Sequence, residues 1–323
     1  MNQLFLTRAL YYARKLYVPR FEIDRKVFHR RQVLFAEMAN DLISNFLIDE
    51  KPFVLSRFGT TESEFIIRHR KSDSTTLAGK KTSYNLWNLS GVFPLENESL
   101  HDFRTEYCDA ISSIDLCGVR SQSKEFAFWP QERKMISMLP EDTKLVDIET
   151  LFPLGLRKPW SRELGGRRVL IVHPFTETMA KQYQKRDILF RDSGFLPEFE
   201  PIWLKAPQTL RMQAKTSNDS WMKRLQNLEL QVATMDFDVA LIGCGAYGLP
   251  ISASIKKMGK KALHIGGALQ LFFGILGNRW SGEIKSISKD LFLENWCWPS
   301  KDETPDNVEM IENAAYWQKD PKY

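Results

Sequence analysis

The chain has 323 residues, of which 43% are hydrophobic and 12% aromatic, so it can bury the core of one large domain or two small ones. Its formal net charge of +5 suits anionic small molecules or a membrane surface, but the basic residues are not clustered as nucleic-acid binding requires. The four cysteines form no Cys-x-x-Cys pair, which argues against a disulfide framework or a zinc site and predicts a reduced, cytoplasmic protein.

The first part of the chain, residues 1–48, is predicted to be a helical extension. Apolar residues at helical spacing, with basic residues between them, predict a basic amphipathic helix over residues 1–20. Such a helix would contact a membrane surface and place the protein at the inner face of the membrane, whereas a helix packed on the domain explains the same pattern. No apolar run reaches the roughly 18 residues of a membrane span. Residues 21–48 are predicted to continue as helix.

Residues 49–295 show short apolar runs that alternate with amphipathic stretches, which predicts an α/β domain. Strands separated by helices form an open, mainly parallel sheet with helices on both faces. Residues 296–323 are rich in Pro, Glu and Asp and are predicted to be a tail that lies over the domain, anchored by Trp298 and Trp317. The predicted strands are residues 52–56, 115–119, 145–148, 169–172, 199–204, 238–242 and 262–265.

Two glycine turns follow consecutive predicted strands between residues 238 and 280. The first is Gly243-x-Gly245-x-x-Gly248, and the second is Gly266-Gly267. Glycines let backbone N–H groups approach a phosphate at the start of a helix. An NAD site would also need an acidic residue about twenty positions on, and its absence argues against NAD. The absence of this acidic residue also argues against a methyltransferase that would bind S-adenosylmethionine. A tight turn that binds no ligand remains an alternative.

Four predicted strands end in residues that could bind or act on a substrate. Because the carboxyl ends of parallel strands meet at one edge of a sheet, these residues are expected to converge on one cleft. The cleft would suit a nucleotide or a nucleotide-sugar. The candidates are Arg57, Gly59 and Glu62 after the first of these strands; His173 and Glu177 after the second; Gly243, Gly245, Tyr247 and Gly248 after the third; and His264, Gly266, Gly267 and Gln270 after the fourth.

The side chains of these candidates suggest roles. Arg57 offers a planar fork to a diphosphate. Glu62 could bind a metal ion or act as a base toward an acceptor hydroxyl, and His173 and Glu177 are the other catalytic candidates.

Each candidate also has a structural interpretation that stays open. Arg57 could pair with Glu62 or Glu64 and only fix its loop. His173 and His264 could be buried core histidines, and Tyr247 could simply pack against its neighbours.

Residues 56–62, 172–177, 238–250 and 264–280 resemble segments of bacterial proteins that have a GT-D-fold-like domain and are associated with polysaccharide biosynthesis. The resemblance covers about residues 45–320, and residues 264–280 are its most specific part. It implies a Rossmann-like fold and glycosyl transfer from a nucleotide-sugar donor to a glycan or lipid-linked acceptor. The GT-D glycosyltransferases carry an Asp-x-Glu metal motif, which falls here on Thr60 and Glu62.

The motif is therefore incomplete, because Thr60 replaces its aspartate. A lone carboxylate holds Mn²⁺ or Mg²⁺ poorly unless the substrate diphosphate supplies most of the ligands. The resemblance thus implies a cytoplasmic glycosyltransferase, for which no cofactor is firmly predicted: Mn²⁺ or Mg²⁺ is expected to bind weakly or not at all without the nucleotide-sugar. A non-catalytic nucleotide-binding or scaffold protein of the same pathway is the alternative, and the missing aspartate favours it.

Overall fold

The structure is a computed structural model that describes residues 25–28, 31–69, 77–121, 129–192, 194–211, 219–280, 291–306 and 308–319. The amphipathic helix predicted over residues 1–20 lies outside these ranges.

The described chain forms one nine-stranded sheet with the order β1-β2-β5-β4-β3-β9-β8-β6-β7. The pairing of β1 with β2 is antiparallel, and every other pairing is parallel. This confirms the predicted α/β class with a mainly parallel open sheet. The strands are β1 Arg25–Phe28, β2 Arg31–Leu34, β3 Val54–Arg57, β4 Leu116–Val119, β5 Lys144–Asp147, β6 Arg168–His173, β7 Glu200–Lys205, β8 Val239–Ile242 and β9 Lys261–His264.

The prediction of continuous helix over residues 21–48 is wrong at residues 25–28 and 31–34, which are strands. β1 and β2 form an antiparallel pair, and β2 joins the sheet beside β5 through the pairs of Val33 with Leu145 and Leu34 with Val146. Helix starts only at Ala36. Val33 is fully buried against the core. Burial on the sheet therefore overrides the helical spacing of the apolar residues in this segment.

Helices cover both faces of the sheet, as predicted. Their ends carry the expected signals: Ser220 Oγ accepts a hydrogen bond from the Lys223 N–H at the start of α7, and the left-handed Gly91 ends α3. The helices are α1 Ala36–Ile48, α2 Thr60–His69, α3 Lys81–Ser90, α4 Asn97–Ile111, α5 Trp129–Ile136, α6 Thr176–Tyr183, α7 Trp221–Ala233, α8 Gly248–Lys257 and α9 Leu269–Phe272. None of the helices in the described ranges is long and apolar enough to cross a membrane.

The strands alternate between two hydrophobic cores, one on each face. In β8, Ala240 and Ile242 belong to the core that contains α4, α7 and α8, whereas Val239 and Leu241 belong to the core that contains α1, α6 and α9. All four residues are fully buried. A strand buried on both faces reads as a continuous apolar run, which is why β8 was predictable from sequence.

The last described segment returns to the carboxyl edge of the sheet. Trp317 is buried, and its Nε1–H donates a hydrogen bond of 3.0 Å to the Glu303 carbonyl. Trp296 is also buried, whereas the predicted anchor Trp298 is only partly buried. The end of the chain thus contributes directly to the surroundings of the strand ends.

Candidate functional site

The four strands that carry the predicted site residues are neighbours in the centre of the sheet, in the order β3-β9-β8-β6. Their parallel registers align Val172 with Ile242, and Ile242 with His264. After β6 the chain runs toward the edge strand β7, whereas after β8 it runs toward β9 in the centre of the sheet. The connections that follow the neighbouring strands β6 and β8 therefore run in opposite directions. Open α/β sheets bind ligands in the crevice at such a point. The predicted convergence on one edge is therefore confirmed.

A pocket of about 1080 Å³, including space open to solvent, lies at this edge. Every predicted site residue except Glu177 and Gly248 lines it. Apolar side chains and a few polar groups line it together, as in sites for small molecules. The fold and the pocket thus define an open α/β domain with a cleft at the carboxyl edge of its sheet.

The prediction that Glu177 shares the cleft is wrong. Its carboxylate is exposed and pairs with Lys205 Nζ at 2.7 Å, and this hydrogen bond and charge lower the pKa of the Glu177 carboxyl. Gly248 is also away from the pocket. A Cβ on Gly248 would lie 2.2 Å from His264 Nε2, so this glycine makes room for the imidazole and its backbone does not face a ligand.

Arg57 is a cation of the pocket without an ion-pair partner among the described residues. It ends β3, its side chain lies over Gly266, and within the described ranges its guanidinium makes no hydrogen bond or ion pair. Arg57 forms no ion pair within 4.0 Å with Glu62 or Glu64: Glu64 pairs with Arg68 at 3.2 Å, and Glu62 acts on Arg57 through its charge alone. Burial, followed by repulsion from nearby cations, lowers the pKa of Arg57. The position therefore favours an anionic ligand.

Glu62 lies in the first turn of α2 and is only 8% exposed. Its carboxylate folds back over Gly59, where a Cβ would lie 1.9 Å from Glu62 Oε2. Beneath this turn a backbone hydrogen bond links Gly59 to the Tyr107 hydroxyl, whose pKa is raised by burial. Gly59 thus lets a carboxylate reach the pocket wall from the start of a helix.

His173 is a fixed hydrogen-bond donor. Its Nδ1 accepts the Phe175 N–H at 3.0 Å, and burial lowers its pKa to about 3, so the ring is neutral with its proton on Nε2. This Nε2–H has no hydrogen-bond partner in the part of the chain that the structure describes. A protonated Nε2 cannot take a proton, so His173 suits donation to a ligand oxygen and not general-base chemistry.

His264 also stays neutral, because burial and then the charge of Arg57 lower its pKa to about 3. Its Nδ1 lies 2.9 Å from Ser56 Oγ, and its Nε2 packs on Gly248. Both ring nitrogens thus face neighbouring parts of the protein. His264 joins β3, β9 and α8 beneath the pocket, as in the structural interpretation.

Tyr247 and Gln270 line the pocket with fixed polar groups. The Tyr247 ring stacks on Trp221 with a centroid distance of 5.3 Å, and its hydroxyl lies 3.0 Å from Thr209 Oγ1. Gln270 is fully buried and its Nε2 donates to the Leu276 carbonyl at 2.8 Å, which leaves Oε1 without a partner among the described residues. Tyr247 therefore packs as well as lines the site.

The amino end of α6 is already occupied by a carboxylate of the protein. Glu303 accepts hydrogen bonds from the backbone N–H groups of Glu177, at 2.9 Å, and Thr178, at 3.3 Å, and from Ser300 Oγ at 3.0 Å. Glu303 is 1% exposed. A helix N-terminus after a parallel strand would otherwise attract an anion. The amino end of α6 is therefore not open to an anionic ligand, unlike the turns after β3, β8 and β9, which line the pocket.

Sequence reasoning missed the outer wall of the pocket. Arg279, Glu312 and Tyr316 line it, together with Tyr107 from α4. These residues follow no strand, so their nearness to the site depends on the path of the chain. Arg279 does lie in the 264–280 segment that carries the resemblance, and this was the available signal.

A metal site complete in protein ligands is not present among the described residues, since no group of three or more His, Cys, Asp or Glu side chains could hold an ion. Glu62 gives the pocket one carboxylate, beside the hydroxyl-bearing Thr60 and Thr61. Mg²⁺ is commonly bound by one or two carboxylates plus substrate phosphates. The residues present thus fit an ion that arrives with a phosphorylated substrate.

Comparison with protein-family models and with curated proteins finds no match. Among solved structures, the chain is similar to one described as "A New Glycosyltransferase (DUF1792) from Streptococcus sanguinis", with 10% identity and a TM-score of 0.47 over 90% of this chain and 97% of that one. Another is described as "The highly conserved domain of unknown function 1792 has a distinct glycosyltransferase fold", with 9% identity and a TM-score of 0.38 over 70% of this chain and 82% of that one.

These neighbours are DUF1792 glycosyltransferase domains, in agreement with the resemblance that the sequence motifs indicate. The likeness is one of overall fold. The function proposed below therefore rests on the pocket.

Proposed function

We propose that this protein is a glycosyltransferase that takes a nucleotide-sugar donor and acts in cell-surface polysaccharide biosynthesis. The observation that carries the proposal is the guanidinium of Arg57, which lies at the carboxyl edge of the sheet beside the Gly266 turn and has no ion-pair partner in the part of the chain that the structure describes. A nucleotide-sugar leaves as a nucleoside diphosphate, and negative charge grows on that leaving group as the glycosidic bond breaks. A cation shielded from water stabilises such charge more than an exposed one does.

The other residues of the pocket have complementary roles in this proposal. The Nε2–H of His173 donates a hydrogen bond to an oxygen of the diphosphate. Glu62 either activates the acceptor hydroxyl or holds a Mg²⁺ or Mn²⁺ that enters with the donor. Such an ion would supply further positive charge to the leaving group.

A second candidate is a nucleotide-binding protein of the same pathway without transferase activity. It is favoured by Thr60, which leaves Glu62 as the only carboxylate in the first turn of α2. Both candidate functions involve binding of a nucleotide, but only the glycosyltransferase would transfer a sugar.

Calorimetric titration with UDP, GDP, ADP and CDP, with and without Mn²⁺, tests the ligand class. We expect one nucleoside diphosphate to bind. Arg57→Lys keeps the charge but loses the planar fork, and it should weaken that binding by about 1–3 kcal/mol. Binding of S-adenosylmethionine alone, or of none of these compounds, would refute the proposal.

Glu62→Gln then separates the two candidates. In a transferase it should abolish turnover of the matching nucleotide-sugar while the melting temperature stays nearly unchanged. Glu177→Gln is the matched control, because Glu177 lies outside the pocket and should leave both quantities unchanged. Nucleotide binding without hydrolysis or transfer of any sugar by the unmodified protein would select the non-catalytic candidate.

A further inference from the structure

Arg279 is a second arginine of the pocket, and its charge is held by the end of the chain. Its guanidinium forms an ion pair with Glu312, and its Nη1 donates a hydrogen bond of 2.9 Å to the Tyr316 hydroxyl. The ion pair is only partly shielded, with the Arg279 and Glu312 side chains 39% and 30% exposed. Arg279 and Glu312 both line the pocket that contains Arg57.

The two arginines flank the same glycine turn. The Arg57 side chain lies over Gly266, where a Cβ would be 3.4 Å from Arg57 Cδ. The Tyr316 ring, which Arg279 holds, lies over Gly267, where a Cβ would be 2.2 Å from its Cε1. Repulsion between like charges is one of the causes that lower the pKa of Arg57, and Arg279 contributes to it. An anion on this turn would lie between two cations.

The segment that carries Glu312 has an unusual backbone. Glu312, Asn313 and Ala314 have φ angles of 49°, 58° and 57°, so three successive residues with side chains are left-handed. Side chains disfavour this conformation, and it persists only where surrounding contacts hold it. Those contacts include the Arg279–Glu312 ion pair and the hydrogen bond from Asn278 Nδ2 to the Asn313 carbonyl at 3.0 Å. Glu312 thus pairs with Arg279 from a disfavoured backbone conformation. This conformation can relax when another anion takes the place of Glu312 at Arg279.

We propose that Arg279 is a second diphosphate-binding residue and that Glu312 is the anion it releases when the donor binds. This inference rests on the proposed function, because the incoming anion is the diphosphate of the nucleotide-sugar. Arg57 holds the diphosphate from the strand side, and Arg279 holds it from the wall formed by the end of the chain. The Glu312 carboxylate competes with the diphosphate for Arg279, so its displacement reduces the net free energy of diphosphate binding.

The test measures the affinity of the nucleoside diphosphate that the unmodified protein binds, and of inorganic pyrophosphate, by calorimetry. Glu312→Gln removes the competing charge and should tighten binding of both ligands about two- to fivefold, the scale of a partly exposed ion pair. Arg279→Gln removes a charged ligand contact and should weaken binding about tenfold or more. In the double variant the gain from Glu312→Gln should disappear, because Glu312 acts through Arg279.

Asp192→Asn is the matched control. Arg162 and Asp192 form an ion pair at 2.8 Å with side chains 40% and 33% exposed, and neither residue lines the pocket. This variant changes the net charge as Glu312→Gln does and should leave the affinity unchanged. If the ion pair only supports the wall, the affinity of Glu312→Gln for the diphosphate should be unchanged or lower. That result would overturn the inference while the proposed function stands. Absence of any diphosphate binding by the unmodified protein would overturn both.

Discussion

The carboxylate of Glu62 lies directly against the backbone of Gly59, so close that a Cβ on Gly59 would be 1.9 Å from Glu62 Oε2. A side chain at position 59 would therefore clash with this carboxylate. A substitution of Gly59 is expected to move Glu62 and so to change the pocket.

Gly59→Ala should displace the Glu62 carboxylate and reduce the proposed transferase activity as strongly as Glu62→Gln. The loss of stability should be about 1–3 kcal/mol, the cost of crowding a packed site. Steady-state kinetics and urea unfolding measure the two effects. Glu64→Gln, on the exposed side of the same helix, is the control and should change neither. Full activity in Gly59→Ala would show that Glu62 needs no particular position.

His173 should make the protein less stable below neutral pH. Its pKa is about 3 in the folded state and 6.5 when unfolded, so between these values only the unfolded chain binds the proton. Stability therefore falls as the pH drops through 6.5, by up to about 1.4 kcal/mol per pH unit from this residue. Urea unfolding at pH 7, 6 and 5 should show a smaller fall for His173→Asn than for the unmodified protein. Equal falls would mean that His173 titrates normally in the fold.

Gly248→Ala should destabilise the fold through its contact with His264. The added methyl would meet the imidazole, whose Nε2 lies 2.2 Å from the Cβ position, at a cost of about 1–3 kcal/mol. On a His264→Asn background the same substitution should cost less, because the shorter side chain leaves room. A double-mutant cycle by urea unfolding measures this coupling. Independent, additive losses would contradict the packing role of Gly248.

Glu303→Gln should lower stability, because Glu303 holds the amino end of α6 from the end of the chain. Replacing a charged acceptor by a neutral one at a helix N-terminus loses about 1–2 kcal/mol. Asp302→Asn is the control, since Asp302 is exposed and neighbours Glu303. Thermal unfolding of the two variants gives the comparison. Equal melting temperatures for the two variants and the unmodified protein would show that Glu303 does not stabilise the amino end of α6.

The central strands were predictable because they are buried on both faces and each is followed by a turn of distinctive composition. Asp238 to Gly248 shows both signals, with an apolar run and then glycines, and the structure has β8, a turn and α8 there. β2 was missed because Val33 and Leu34 also fit the helical spacing of the residues that follow. A strand of four residues has few positions with which to distinguish these periods.

The floor of the pocket was predictable and its wall was not. Arg57, Gly243 and Gly266 follow strands, so the parallel topology alone brings them together. Glu312 and Tyr316 reach the site through contacts with Arg279 and Gly267, and nothing in their local composition indicates such contacts. Glu303 reads as one acidic residue among many in a polar segment, although it fills a helix end.

The wall formed by Glu312 and Tyr316 also sets an order of events during synthesis. The strands that form the floor of the pocket precede this wall in the chain, and protein chains emerge from their amino ends. The sheet can therefore assemble while its crevice still lies open on one side. The crevice is complete only once Glu312 and Tyr316 have been made, well after His264, the last residue of β9.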